Sequence, residues 1–172
     1  MSTETPHFEL KPLSREGIEA ALKKAERYRL LNEPWEAESI CRDILENDPE
    51  NQDALIALIL ALTDQIRLSA SADVGSVQEL LPRLKGEYER AYYAGILAER
   101  RGKALLKRGA PGSGPLIYDW LRRAMEHYEE AERLRPPGNE SSILRWNTCA
   151  RIIMRHEHIR PAPRERTPTF LE

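Results

Sequence analysis

No stretch of this sequence is apolar for long. Its most hydrophobic segment, Ala54 to Leu62, is nine residues and is followed at once by Asp64 and Arg67. A bilayer-spanning helix needs about 20 apolar residues, so none is expected here. Met1 to Lys11 lacks a basic region followed by an apolar stretch, so no secretory signal is expected either, and the expected location is cytoplasmic. Charge of one sign is also missing: the formal net charge is −2, which removes any global pull toward nucleic acid or an anionic membrane. Cysteine is nearly absent. Cys41 and Cys149 lie far apart, each inside an apolar helical pattern, which points to two reduced core thiols; a disulfide or redox pair is the alternative. Aromatics make up only 6%, and strand formers never gather in alternating runs.

What the chain does contain is alanine, leucine, glutamate and arginine, within 41% hydrophobic and 31% charged residues. These side chains lose little rotamer freedom in a helix, so an all-α domain is expected. Its 172 residues suffice for one core and fall short of two comfortable domains.

Residues 1–13 carry two prolines and little periodicity, and read as a flexible arm. The helical domain is expected over 14–158. Ser14 precedes an imperfect capping box, since Gly17 stands where glutamate would close it. Ile18, Ala21, Leu22, Ala25 and Tyr28 then recur at helical spacing. Pro34 breaks that helix, because it lacks an amide proton and drives Glu33 out of the helical region. A second helix opens at Trp35, turns Ala37, Ile40, Cys41, Ile44 and Leu45 inward, and closes at Asn47-Asp48-Pro49. The two make a helical hairpin.

A second hairpin follows. Ala54 to Leu68 is apolar almost all round, as for a helix covered on more than one face. Ser69 to Gly75 is its turn. Val77, Leu80, Leu81 and Leu84 form the next apolar stripe, with Pro82 kinking or shortening that helix. One long helix is expected over Glu87 to Arg108, a loop over 109–115, and further helices over Ile117 to Leu134 and about Glu140 to His158. Residues 159–172, rich in proline and arginine, read as a disordered tail.

Ile18 to Glu50 resembles one unit of the tetratricopeptide repeat family, a helical hairpin of about 34 residues that stacks into a superhelix. Ala25 takes the small position where the two helices touch, and Tyr28 the aromatic one a turn later. Ala37, Cys41, Ile44 and Pro49 match the second helix and its closing proline. A second match is Ala124, Tyr128, Ala131 and Pro136, with Tyr88 to Leu106 as its first helix and Gly95 as the close-contact residue. An insertion separates those two helices, a departure from the family pattern. The unit over Gln52 to Glu87 is looser, with Leu55, Leu58 and Ile59 replacing the family's aromatic and glycine. Small residues matter because two helix backbones approach only where no bulky side chain intervenes. The resemblance implies antiparallel hairpins stacked as a short right-handed solenoid, with Ser141 to Met154 as a capping helix. The competing arrangement is a helical bundle without repeat geometry.

Residues that carry chemistry are sparse. The positions three before His127, His156 and His158 are Ala124, Ile153 and Arg155, so the glutamate–histidine pair of a helical metal site is missing. His156 and His158 would point roughly 200° apart on a helix. Arg145 and Arg151 near Cys149 could lower its pKa, yet Ile143, Trp146, Ala150 and Ile153 around it make a packed thiol the commoner outcome. The glycines from Gly109 to Gly114 follow a helix and lack a lysine-threonine ending, so they are no phosphate cradle. The arginines near the end have no interleaved aromatics for stacking bases. No catalytic residue, metal or cofactor is expected.

The resemblance implies a concave surface lined by the first helix of each hairpin. On it would stand Leu22, Glu26 and Arg29, then Ile56, Leu60 and Thr63, then Tyr92, Ile96 and Glu99. Apolar side chains rimmed by charge suit an amphipathic helix or an extended apolar peptide. Some family members clamp a chaperone's terminal carboxylate with lysine and asparagine, but Leu22 and Glu26 occupy those places here. The expected function is a non-catalytic adaptor or scaffold that holds another protein, with no nucleic acid or membrane as partner; self-association is compatible with such a surface. The alternatives are an assembly chaperone shielding a subunit of a larger complex, an enzyme using Cys149 or the histidines, and a groove that is simply core or is covered by the chain's own termini. In the last case the tip Phe170-Leu171 could fold back into it.

Overall fold

The computed structural model describes residues 5–69 and 72–163. Among them are seven α-helices and no strand: α1 (Ile18–Leu30), α2 (Pro34–Asn47), α3 (Gln52–Leu68), α4 (Val74–Leu80), α5 (Glu87–Arg108), α6 (Gly114–Leu134) and α7 (Ser141–Arg155). The all-α expectation holds. The chain forms two compact units, one up to Leu62 and one from Thr63 onward, so the division falls inside α3.

In the first unit α1 packs against α2. Ala25 meets the hairpin's inner face, where Ala37, Cys41 and Ile44 are likewise fully buried. The turn between them is a backbone device. Asn32 adopts φ 62°, its amide bonds Arg29 O at 3.0 Å, and the Glu33 amide bonds Tyr28 O at 2.9 Å. That pair of bonds satisfies the last carbonyls of α1, and asparagine tolerates the left-handed conformation it needs. Pro34 then serves as an opening residue of α2, one position before the expected Trp35, because its missing amide proton has no partner to lose there. Asn51 starts α3, its Oδ1 accepting from the Ala54 amide at 2.9 Å. Ala54, Leu55, Leu58, Ile59 and Leu62 are buried on more than one side of α3, as its unbroken apolarity implied.

In the second unit Asp73 caps α4 by accepting from the Ser76 amide at 3.0 Å, and Pro82 sits in a 3-10 turn over Leu81–Arg83 that ends this helix early. The long α5 stops at Gly109, whose φ of 65° suits glycine and whose amide bonds Leu105 O at 3.2 Å. A short loop returns the chain along α6, and α7 packs on α6. Gly95 lets α5 and α6 close: an added Cβ would lie 2.5 Å from Tyr128 Cε1. Ile117, Leu121, Ala124, Tyr128 and Ala131 make the inward stripe of α6.

The end of the domain is corrected. The last helix stops at Arg155, and Ile159, expected in a disordered tail, is fully buried. Gly114 leaves room for the returning strand of chain, since a Cβ there would meet His158 O at 2.0 Å. Arg160 Nη1 bonds the carbonyls of Ile153, His156 and Ile159, which satisfies the exposed end of α7. The expected tail residues 164–172, with Phe170 and Leu171, lie outside the described residues.

Candidate functional site

The nine residues assigned to a groove separate into two groups. Leu22, Glu26 and Arg29 of α1 and Ile56 and Leu60 of α3 line one open cleft of about 280 Å³ in the first unit. Helical spacing brings them together: positions 22, 26 and 29 share one face of α1, and 56 and 60 one face of α3. Ala57 completes the apolar floor, while Glu19, Lys23 and Asp53 add charge to the rim. Lys23 Nζ lies 2.7 Å from Glu19 Oε1, both nearly fully in water, so this pair shapes the rim more than it stabilises it. The volume admits one or two side chains, not a whole helix. Ala57, Lys23 and Asp53 escaped sequence reasoning because only the packing of α1 beside α3 brings them to the same opening.

The second group is different. Thr63, Ile96 and Glu99 have at most 1% of their surface exposed, so they belong to the core rather than to an open groove. Tyr92 is half-buried in an aromatic cluster, its ring 5.6 Å from Tyr88, 5.1 Å from Tyr93 and 5.8 Å from Tyr128. Burial of Glu99 follows from its partners. Its Oε2 accepts from the Tyr128 hydroxyl at 2.6 Å, and its Oε1 meets Lys103 Nζ and, at 3.2 Å, Arg145 Nη1. Burial alone would raise its pKa, but hydrogen bonds from Lys103 and Tyr128 and the charges of Lys103 and Arg145 hold it below the ordinary carboxylate value. The glutamate is therefore an ionised staple that ties α5, α6 and α7 together. Sequence reasoning read it as a groove charge because the reach of Arg145 and Tyr128 is a tertiary fact.

Neither thiol is poised for chemistry. Burial pushes Cys41 up to about 11 and Cys149 up to about 12. For Cys149 the buried Glu99 charge adds to burial, while Lys103 and Arg145 act against it. Among the described residues no three His, Cys, Asp or Glu side chains gather as a metal site, and no helix is long and apolar enough to cross a membrane. His156 Nδ1 lies 2.8 Å from Ile152 O and its ring packs edge-on to His158, so both serve the end of α7. No protein-family model, curated protein or solved structure matches the chain.

Proposed function

We propose that this protein is a non-catalytic interaction module, similar to a tetratricopeptide-repeat adaptor, that holds a segment of a partner protein in the cleft between α1 and α3. The observation that carries the reading is the convergence of Leu22, Glu26, Arg29, Ile56 and Leu60 on one opening with an apolar floor and a rim of both charge signs. Such a surface takes one or two apolar anchors of an amphipathic helix, while the rim sets orientation. The full burial of Ala25 in the α1–α2 hairpin and the tight fit of Gly95 against Tyr128 favour repeat-like hairpins. The buried, protonated thiols favour a binding role over a nucleophilic one. A cytoplasmic location belongs to the same reading.

The test compares wild type with a Leu22→Asp, Leu60→Asp double variant in affinity capture from native lysate, with circular dichroism confirming the fold. A protein retained by wild type and lost by the variant supports the cleft and identifies the partner. Equal retention by both removes the cleft from the mechanism, and retention of nothing by wild type removes the adaptor reading.

A further inference from the structure

A second opening, of about 240 Å³, lies wholly in the second unit. Arg101 and Arg108 of α5, Leu116 and Trp120 of α6, and Ile66 and Val74 line it. The Arg101 guanidinium stacks on Trp120, with Cζ 3.8 Å from the ring centroid, and Arg123 approaches the same ring at 5.0 Å.

 The neighbouring Arg100 pairs with Asp64 at 3.0 Å, Lys103 and Arg145 are taken up by Glu99, and Arg135 by Glu140. Arg101 and Arg108 have no ion-pair partner among the described residues. Burial, and then the like charge of Arg123, lower the Arg101 pKa, with no carboxylate acting against them. A partly desolvated guanidinium with only a ring face for company has donors left over for an anion.

We infer that this pocket is an anchor for an acidic peptide segment, taking an aspartate or glutamate carboxylate on Arg101 and Arg108 and an adjacent apolar side chain against Leu116, Ile66 and Val74. The two guanidiniums select an anion, and Leu116, Ile66 and Val74 beside them suit a carboxylate carried next to an apolar side chain. The volume equals that of roughly eight water molecules, enough for such a pair and too little for a helix. The site is separate from the α1–α3 cleft, and the inference stands whether or not that cleft binds.

The probes are four acetylated, amidated glycine-based pentapeptides, each with one glutamate next to a leucine or a phenylalanine on one side or the other, and their glutamine counterparts. Binding to the full chain is read from the Trp120 indole resonance, assigned through Trp120→Phe. At least one glutamate peptide should shift that resonance saturably, bind about tenfold more tightly than its glutamine counterpart and weaken with salt. Arg101→Gln should abolish the difference between the two peptides while the spectrum stays dispersed, and Leu22→Asp with Leu60→Asp should leave it intact. Equal binding of the two peptides to wild type would overturn the inference. So would the absence of any shift up to about 1 mM peptide. A shift that appears only after residues 164–172 are removed would give the pocket to the chain's own segment and overturn the partner reading.

Discussion

Adding one methyl group at Gly95 should cost this protein more than the helix gains from it. Alanine is favoured over glycine in a helix interior by about 1 kcal/mol. Against that, the new Cβ would stand 2.5, 2.8 and 3.0 Å from Cε1, Cδ1 and Cζ of Tyr128. The ring cannot swing away freely, because it is fully buried and its hydroxyl is held by Glu99 at 2.6 Å. Overpacking of this kind costs about 1–3 kcal/mol, and loosening a hydrogen bond to a charged group about 1.5–3 kcal/mol more. The expected net loss for Gly95→Ala is about 1.5–5 kcal/mol. Gly102, two turns along the same helix, is the control. There the added carbon would meet Leu121 Cδ2 at 3.1 Å and Trp120 Cβ at 3.3 Å, contacts that relax by a few tenths of an ångström. Gly102→Ala should therefore fall within about 1 kcal/mol of wild type. Urea unfolding followed by helical ellipticity and by tryptophan fluorescence measures both. In a Tyr128→Leu background the Gly95→Ala cost should shrink, since the opposing ring is gone. A Gly95→Ala protein as stable as wild type, or less perturbed than Gly102→Ala, would refute the reasoning.

The ionised Glu99 makes stability depend on acid. Its folded pKa is depressed, so its contribution is fully present above the unfolded carboxylate value and is lost as pH falls through the lower folded value; Glu99→Gln should flatten this acid limb in urea titrations, whereas an unchanged limb would remove Glu99 as its source. The thiols give a second check: with Cys41 and Cys149 at about 11 and 12, native protein at neutral pH should react with an alkylating reagent far more slowly than urea-unfolded protein, and a fast native thiol would reopen the enzymatic alternative.

Much of the fold could be read along the chain because its signals are local. Pro34, the Asn47-Asp48-Pro49 stop, Pro82 and Gly109 act on backbone torsions and hydrogen bonds within a few residues, so the long α5 emerged at Glu87–Arg108 as expected. The inward face of α2 was legible from helical spacing for the same reason. The close contact at Gly95 was implied only by the repeat resemblance; what it meets is the Tyr128 ring. The α1 and α3 positions of the cleft came from the repeat resemblance, and helical spacing explains why residues four apart share a side.

The rest depended on groups distant in the chain. Ile159 looked like tail because nothing near it is periodic; its burial depends on Gly114 leaving space for the chain at His158, a contact across the domain. Glu99 looked like a surface charge because its partners, Tyr128 and Arg145, come from two later helices. The same holds for Arg101, whose neighbour Arg100 is of the same type but has Asp64 at 3.0 Å. Sequence alone determined which segments are helical, where they stop and which face each turns inward, because torsional preference and periodicity act over a few residues. Tertiary structure alone decided which charges are neutralised, which groove positions are open and which are core, because Coulomb energy and burial depend on what another helix brings to within a few ångströms.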